Sequence, residues 1–167
     1  IERISIGLSA SMGGYQLLEW ALLEPEVYDQ LILIGTAARE SAWGIAMHTT
    51  QRMAIEADPT WRDMSKAGGR TGLMTARGIG MLMYRNFEMF VKTQTDPDGQ
   101  KTDDFKASSY IKYQGEKLAN RFTAYAYWLL TKAMDSHNIG RDRGSVEEAL
   151  ASLKARSLVI GITSDLL

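Results

Sequence analysis

At 167 residues, 45% of them hydrophobic and 23% charged, the chain suits one globular domain with room for an inserted subdomain, not a disordered or fibrous protein. Nineteen Lys and Arg against 20 Asp and Glu leave a net charge of −1, which excludes a global basic field for nucleic acid or an anionic membrane. The zero cysteines exclude disulfides, thiolate nucleophiles and zinc–cysteine sites, no apolar run nears the roughly 20 residues of a membrane helix, and the N-terminus is not signal-like, so the chain reads as cytoplasmic and free of metal.

Residues 2–8 alternate polar and apolar and predict a strand. The turn Ser9-Ala10-Ser11-Met12-Gly13-Gly14 follows, and then Leu17, Leu18, Trp20, Ala21 and Leu22 recur at helical spacing until Pro25. Residues 30–35, rich in Leu and Ile, predict a buried strand. Strand, turn, helix and strand together make the right-handed crossover of a parallel sheet. Beyond it the helix signal runs almost unbroken, with helices predicted over 41–57, 72–84, 108–120 and 123–135. Asp58-Pro59 and the run from Thr95 to Gly99 punctuate them as turns. A short amphipathic helix over 146–155 leads to a last strand over 157–162. The order predicts an α/β fold, its sheet core in residues 1–41 and 146–167, interrupted by an all-helical insertion at 42–145. Insertions at the C-terminal edge of a sheet commonly cover sites. The chain opens on Ile1 inside one strand-like segment and stops at Leu167 just past another, as an internal part of a longer protein would.

Small residues around a serine, between a strand and a helix, suit a nucleophile elbow, whose tight turn lifts the hydroxyl above the strand end. Ser11 would be the nucleophile and the Met12 N–H an oxyanion donor, although Ser9 stands where the first glycine of Gly-x-Ser-x-Gly is expected. A plain glycine-rich turn opening the helix, even one for phosphate, fits the same residues. Asp165, just past the last strand, occupies the place of a triad acid, and a loop carboxylate or helix cap would look alike. The triad order of this geometry is Ser, acid, His. Both histidines, His48 and His137, precede Asp165 and read as surface or lid residues, so the base would lie beyond Leu167. Arg77 and Tyr84, seven apart, share a helix face with Gly80 between them. On so apolar a helix Arg77 invites a carboxylate ligand, or pairs with a nearby acid. Met74, Met81 and Met83 at helical spacing read as packing.

Ser11-Met12-Gly13-Gly14 with Gln16, Leu18, Glu19 and Trp20 resembles the homoserine O-acetyltransferase family of α/β-hydrolase-fold enzymes. Further matches follow in order: Thr36-Ala37-Ala38-Arg39 with Ser41-Ala42-Trp43, then Gly72-Leu73 through Ala76-Arg77 to Tyr84. Ser109-Tyr110-Ile111 with Tyr113-Gln114-Gly115-Glu116-Lys117 comes next, then Arg121-Phe122, Tyr125, Tyr127 and Leu130-Thr131-Lys132-Ala133 with Asp135. Val159-Ile160-Gly161 through Ser164-Asp165 closes the set. Ser9, Tyr15, Gly44 and His48 depart from the family's usual residues. The resemblance implies an enzyme that moves the acetyl group of acetyl-CoA to L-homoserine by a ping-pong route, as in methionine biosynthesis. It implies Ser11 as nucleophile, Asp165 as the triad acid, Met12 in the oxyanion hole, and Arg77 with Tyr84 on the homoserine carboxylate. It further implies no cofactor beyond acetyl-CoA as co-substrate, a homodimer through the lid helices, and opening strands and a catalytic histidine outside these residues. A succinyl-CoA- or serine-using relative, a serine hydrolase or esterase, and a non-catalytic helical interaction module are the other readings.

Overall fold

The computed structural model describes residues 2–166. In chain order its elements are β1 (Ile4–Ala10), α1 (Met12–Leu23), β2 (Tyr28–Ile34), α2 (Ala42–Glu56), α3 (Arg70–Met83), α4 (Phe87–Gln94), α5 (Lys106–Ala119), α6 (Ala124–Asp135), α7 (Val146–Ala151) and β3 (Arg156–Ile160). They form two compact units, one joining the segment up to Ser41 with Met134–Asp165, the other spanning Ala42–Ala133.

The first unit is built on a sheet of order β1-β2-β3. Both pairings are parallel, with Leu8 opposite Ile32 and Ile32 opposite Leu158. Side chains alternate faces along a strand. Leu31 and Leu33 therefore share one face, where α1 buries Leu18 and Ala21 against them together with Val27, Ile139 and Ala149. The opposite face carries Ile6 and Leu8 of β1 and Leu158 and Ile160 of β3, all exposed. The strands expected over 2–8, 30–35 and 157–162 are thus present and parallel, shifted by one or two residues.

Residues 134–145 depart from the expected course. They pack in the sheet unit, not with the helical insertion. Ile139 is fully buried in the sheet core. Its N–H donates to the Ala38 carbonyl at 3.0 Å, and Asn138 bridges antiparallel to Arg39. Arg143 donates to Glu19 of α1 at 2.8 Å and to the Ile139 carbonyl at 2.9 Å. A single apolar residue among polar neighbours has no period to read, so only the tertiary contacts reveal where it belongs.

The second unit packs α3 between α2 and α5, around Ile55, Leu73, Ala76, Leu118, Ala119 and Ala124. Trp61 and Trp128 close over this core with ring centroids 5.8 Å apart. Asp58 joins the turn after α2 to the start of α3: its carboxylate accepts from the Thr60 hydroxyl at 2.7 Å and the Gly72 N–H at 3.0 Å. Those bonds hold its pKa below the ordinary carboxylate value. The unexpected element is α4. Asn86 caps it by accepting the Met89 N–H at 3.1 Å, but although Phe87, Phe90 and Val91 stand at helical spacing, the helix has only 8 residues, too few for a period to be read, and it buries none of them. Among the described residues no helix is long and apolar enough to cross a membrane.

Candidate active site

Ser11 is the one residue between β1 and α1, and its backbone lies at φ 50°, ψ −132°. Positive φ is uncommon for a residue with a Cβ and marks strain that the surroundings must hold. They do so through three bonds. The Ser11 N–H donates to the Ile34 carbonyl at 3.1 Å, and the Ser11 carbonyl accepts from the Gly14 N–H and from the Thr36 hydroxyl, both at 2.8 Å. Gly14 is sterically required by Thr36, while at Gly13 only the rotatable Ser9 hydroxyl stands in the way. A Cβ on Gly13 would lie 2.2 Å from Ser9 Oγ, and one on Gly14 would lie 2.4 Å from Thr36 Oγ1. This is the strained strand-to-helix turn that nucleophilic serines occupy. Ser11 is exposed, and Met12 opens α1, so its N–H is among the first four donors that find no acceptor within the helix.

Asp165 lies on the same edge of the sheet. Its Oδ2 is 3.9 Å from where a Cβ on Gly35 would sit, and Gly35 leaves β2 at φ +49° with its N–H on the Ile160 carbonyl at 2.9 Å. Ser11 leaves β1 and Asp165 follows β3, with β2 between. Two inter-strand steps separate the ends of β1 and β3 by about 10 Å.

Of the surface and lid readings of the two histidines, the surface one fails for both: His48 belongs to the helical unit and His137 to the sheet unit, and each is buried. His48 on α2 is 5% exposed and His137 is 8% exposed. The His137 ring stacks on Tyr15, with centroids 3.8 Å apart and planes 6° from parallel. His137 Nε2 lies 3.0 Å from the Ala37 carbonyl. A carbonyl only accepts, so Nε2 carries the proton. Burial draws the imidazole pKa below its ordinary value, against the opposing pull of the Ala37 bond and of Glu19 and Glu40. The Tyr15 hydroxyl donates to Glu40 Oε2 at 2.9 Å, and burial, then that bond, push the phenol pKa up. Residue-by-residue reading missed this support: Thr36 registers only within the family match of residues 36–39, Tyr15 only as a departure from the family, and Glu40 and His137 carry no motif of their own.

In the helical unit Arg77 lies on α3 and Tyr84 just past its end, with the guanidinium carbon 5.5 Å from the ring centre. Among the described residues no carboxylate pairs with Arg77, and its buried Nε has no hydrogen-bond partner. Gln51, fully buried, donates to the Ala76 carbonyl at 3.1 Å and leaves its Oε1 without a partner. Burial, and after it the nearby Tyr84, raise the Tyr127 pKa. Native structures rarely leave buried polar atoms without a partner.

No family model matches the chain. The homoserine O-acetyltransferase of Cyclobacterium marinum is 47% identical over 167 residues, an alignment covering 100% of this chain and 47% of that protein. The crystal structure of homoserine O-acetyltransferase from Staphylococcus aureus matches with a TM-score of 0.79 at 29% identity, over 100% of this chain and 46% of that one. The crystal structure of esterase E22 matches in fold, with a TM-score of 0.82 at 21% identity, over 96% of this chain and 47% of that one. The chain spans about half the length of the curated relatives it matches. Similarity that runs unbroken from the elbow serine through the helical unit to Asp165 puts this chain in the homoserine O-acetyltransferase family, with the α/β-hydrolase fold.

Proposed function

We propose that the protein transfers the acetyl group of acetyl-CoA to the hydroxyl of L-homoserine through an acetyl-serine at Ser11. The observation that carries this reading is the strained Ser11 turn with the Asp165 carboxylate on the same sheet edge. An imidazole held by Asp165 takes the Ser11 proton as Oγ attacks the thioester carbonyl. The tetrahedral oxyanion accepts from the Met12 N–H, and one such donor is typically worth about 3 kcal/mol. Collapse breaks the C–S bond, and the imidazolium returns the proton to the departing thiolate. Homoserine then gives its hydroxyl proton to the same base, attacks the acetyl-serine, and leaves as the O-acetyl ester with Ser11 restored. The base follows Asp165 in the triad order. His137 does not fit that role: it precedes Asp165 in the chain, and its ring is buried flat on Tyr15.

The test is whether thiol release from acetyl-CoA by the full-length protein requires homoserine. Release at full rate without it would establish the hydrolase reading, to which the likeness to esterase E22 lends its support. Succinyl-CoA and serine, offered in turn, identify the donor and acceptor.

Arg77 and Tyr84 are assigned to the homoserine carboxylate, because Arg77 has a buried donor with no acceptor. Arg77→Ala is expected to raise the homoserine KM by about 100-fold, the effect of removing one partner of a desolvated charge pair. The acetylation half-reaction involves no amino-acid carboxylate and is expected to keep its rate. A single-turnover thiol burst that falls as far as steady-state turnover would make Arg77 structural instead.

The reading also includes a cytoplasmic homodimer formed through the helical unit, where α4 exposes Phe87, Met89 and Val91. Sedimentation at the mass of one chain would refute the dimer.

A further inference from the structure

A closed circuit of contacts passes through Ser11. The Thr36 hydroxyl donates to the Ser11 carbonyl at 2.8 Å. The carbonyl of the next residue, Ala37, accepts from His137 Nε2 at 3.0 Å. The His137 ring lies flat on Tyr15, 3.8 Å between centroids. Tyr15 comes four residues after Ser11, one turn along α1, so the helix backbone closes the circuit. A second set of bonds locks the first: Tyr15 Oη donates to Glu40 at 2.9 Å, and the Glu40 N–H donates to the His137 carbonyl at 3.0 Å. Thr36 and His137 take no part in the acyl-transfer steps. Burying an imidazole costs desolvation that an aliphatic side chain would avoid, so packing alone does not account for His137. Left-handed backbone at a non-glycine residue persists only where its neighbours over-determine it, and this circuit supplies that constraint on Ser11.

We propose that Thr36 and His137 are positioning residues that clasp the Ser11 backbone in its strained conformation and so aim its hydroxyl and the Met12 N–H at one carbonyl. The proposal rests on the reading of Ser11 as nucleophile. Displacing a reacting group by 1 Å costs up to about 10²-fold in rate.

The rate at which an alkyl fluorophosphonate labels Ser11 in the full-length protein reads that aim without either substrate. Thr36→Val preserves shape and deletes the hydroxyl, while His137→Phe preserves the stack and deletes the donor. Each is expected to slow labelling by about 10- to 100-fold. The double variant is expected to be no slower than the slower single, because both act on one circuit. Thr36→Ser restores the hydroxyl and is expected to return the rate to the wild-type range. Thr36 is only partly buried, so Thr36→Val decides the matter even where His137→Phe fails to fold. Unchanged labelling in Thr36→Val overturns the proposal. Equal slowing in Thr36→Ser also overturns it, since that would be a packing defect rather than a lost hydrogen bond. Labelling that survives Ser11→Ala overturns the nucleophile reading itself, whereas labelling lost in Ser11→Ala but unmoved by Thr36→Val overturns the clasp alone.

Discussion

Ser11→Ala is expected to lower acetyl transfer by about 10⁶-fold, the loss seen when a triad serine is removed from an otherwise intact site. Both half-reactions pass through the bond between Ser11 Oγ and the acetyl carbon, so neither survives without the hydroxyl. What remains is binding plus the Met12 donor, which still stabilises an oxyanion formed by water attack. The fold is expected to persist. The bonds that hold the elbow use the Ser11 N–H and carbonyl, not its side chain, and alanine keeps both. The measurement is paired: steady-state thiol release with homoserine, and the mass of the protein after exposure to acetyl-CoA alone. Wild type should gain one acetyl group and the variant none. Turnover by Ser11→Ala within about tenfold of wild type would mean that another group carries the acetyl, because no intact triad survives loss of its nucleophile so lightly.

Asp165→Asn is expected to cost about 10⁴-fold with the geometry nearly unchanged, as when a triad carboxylate becomes an amide. The carboxylate offers only acceptors, so it selects the imidazole tautomer whose second nitrogen is free to take the serine proton. An amide can present its N–H instead and select the wrong one. The carboxylate also stabilises the imidazolium that forms in each tetrahedral intermediate. Acetylation and deacetylation use that base alike, so both the burst and the steady state should fall together. This distinguishes Asp165 from Arg77, whose loss should fall on the homoserine step alone. An Asp165→Asn protein with near-normal rates in both phases would assign Asp165 to the loop, not the triad.

The parts of this molecule legible in the sequence are those that repeat or crowd. Alternation in residues 2–8, the Leu-Ile run of the second strand and the apolar period of the long helices each put many residues behind one conclusion, and the structure displaces them only by a residue or two. The small residues around Ser11 are equally legible, because a turn this tight leaves no room for a Cβ at Gly14. By contrast α4, with a proper Asn86 cap and Phe87, Phe90 and Val91 at helical spacing, has only 8 residues, too short a run for its period to be read.

By itself, then, the sequence determined the order of strands and helices, the tight strand-to-helix turn at Ser11 and the place of Asp165 after the last strand. Each is a local consequence of residue size, spacing or chain order. Only the tertiary structure decided that residues 134–145 belong to the sheet unit, and that His137 is buried against Tyr15 and the Ala37 carbonyl instead of lying on the surface or in the helical insertion. The physical reason is distance along the chain. His137 meets Ala37 and Tyr15 across 100 residues or more, through one hydrogen bond and one ring face, and no local period encodes a partner so remote.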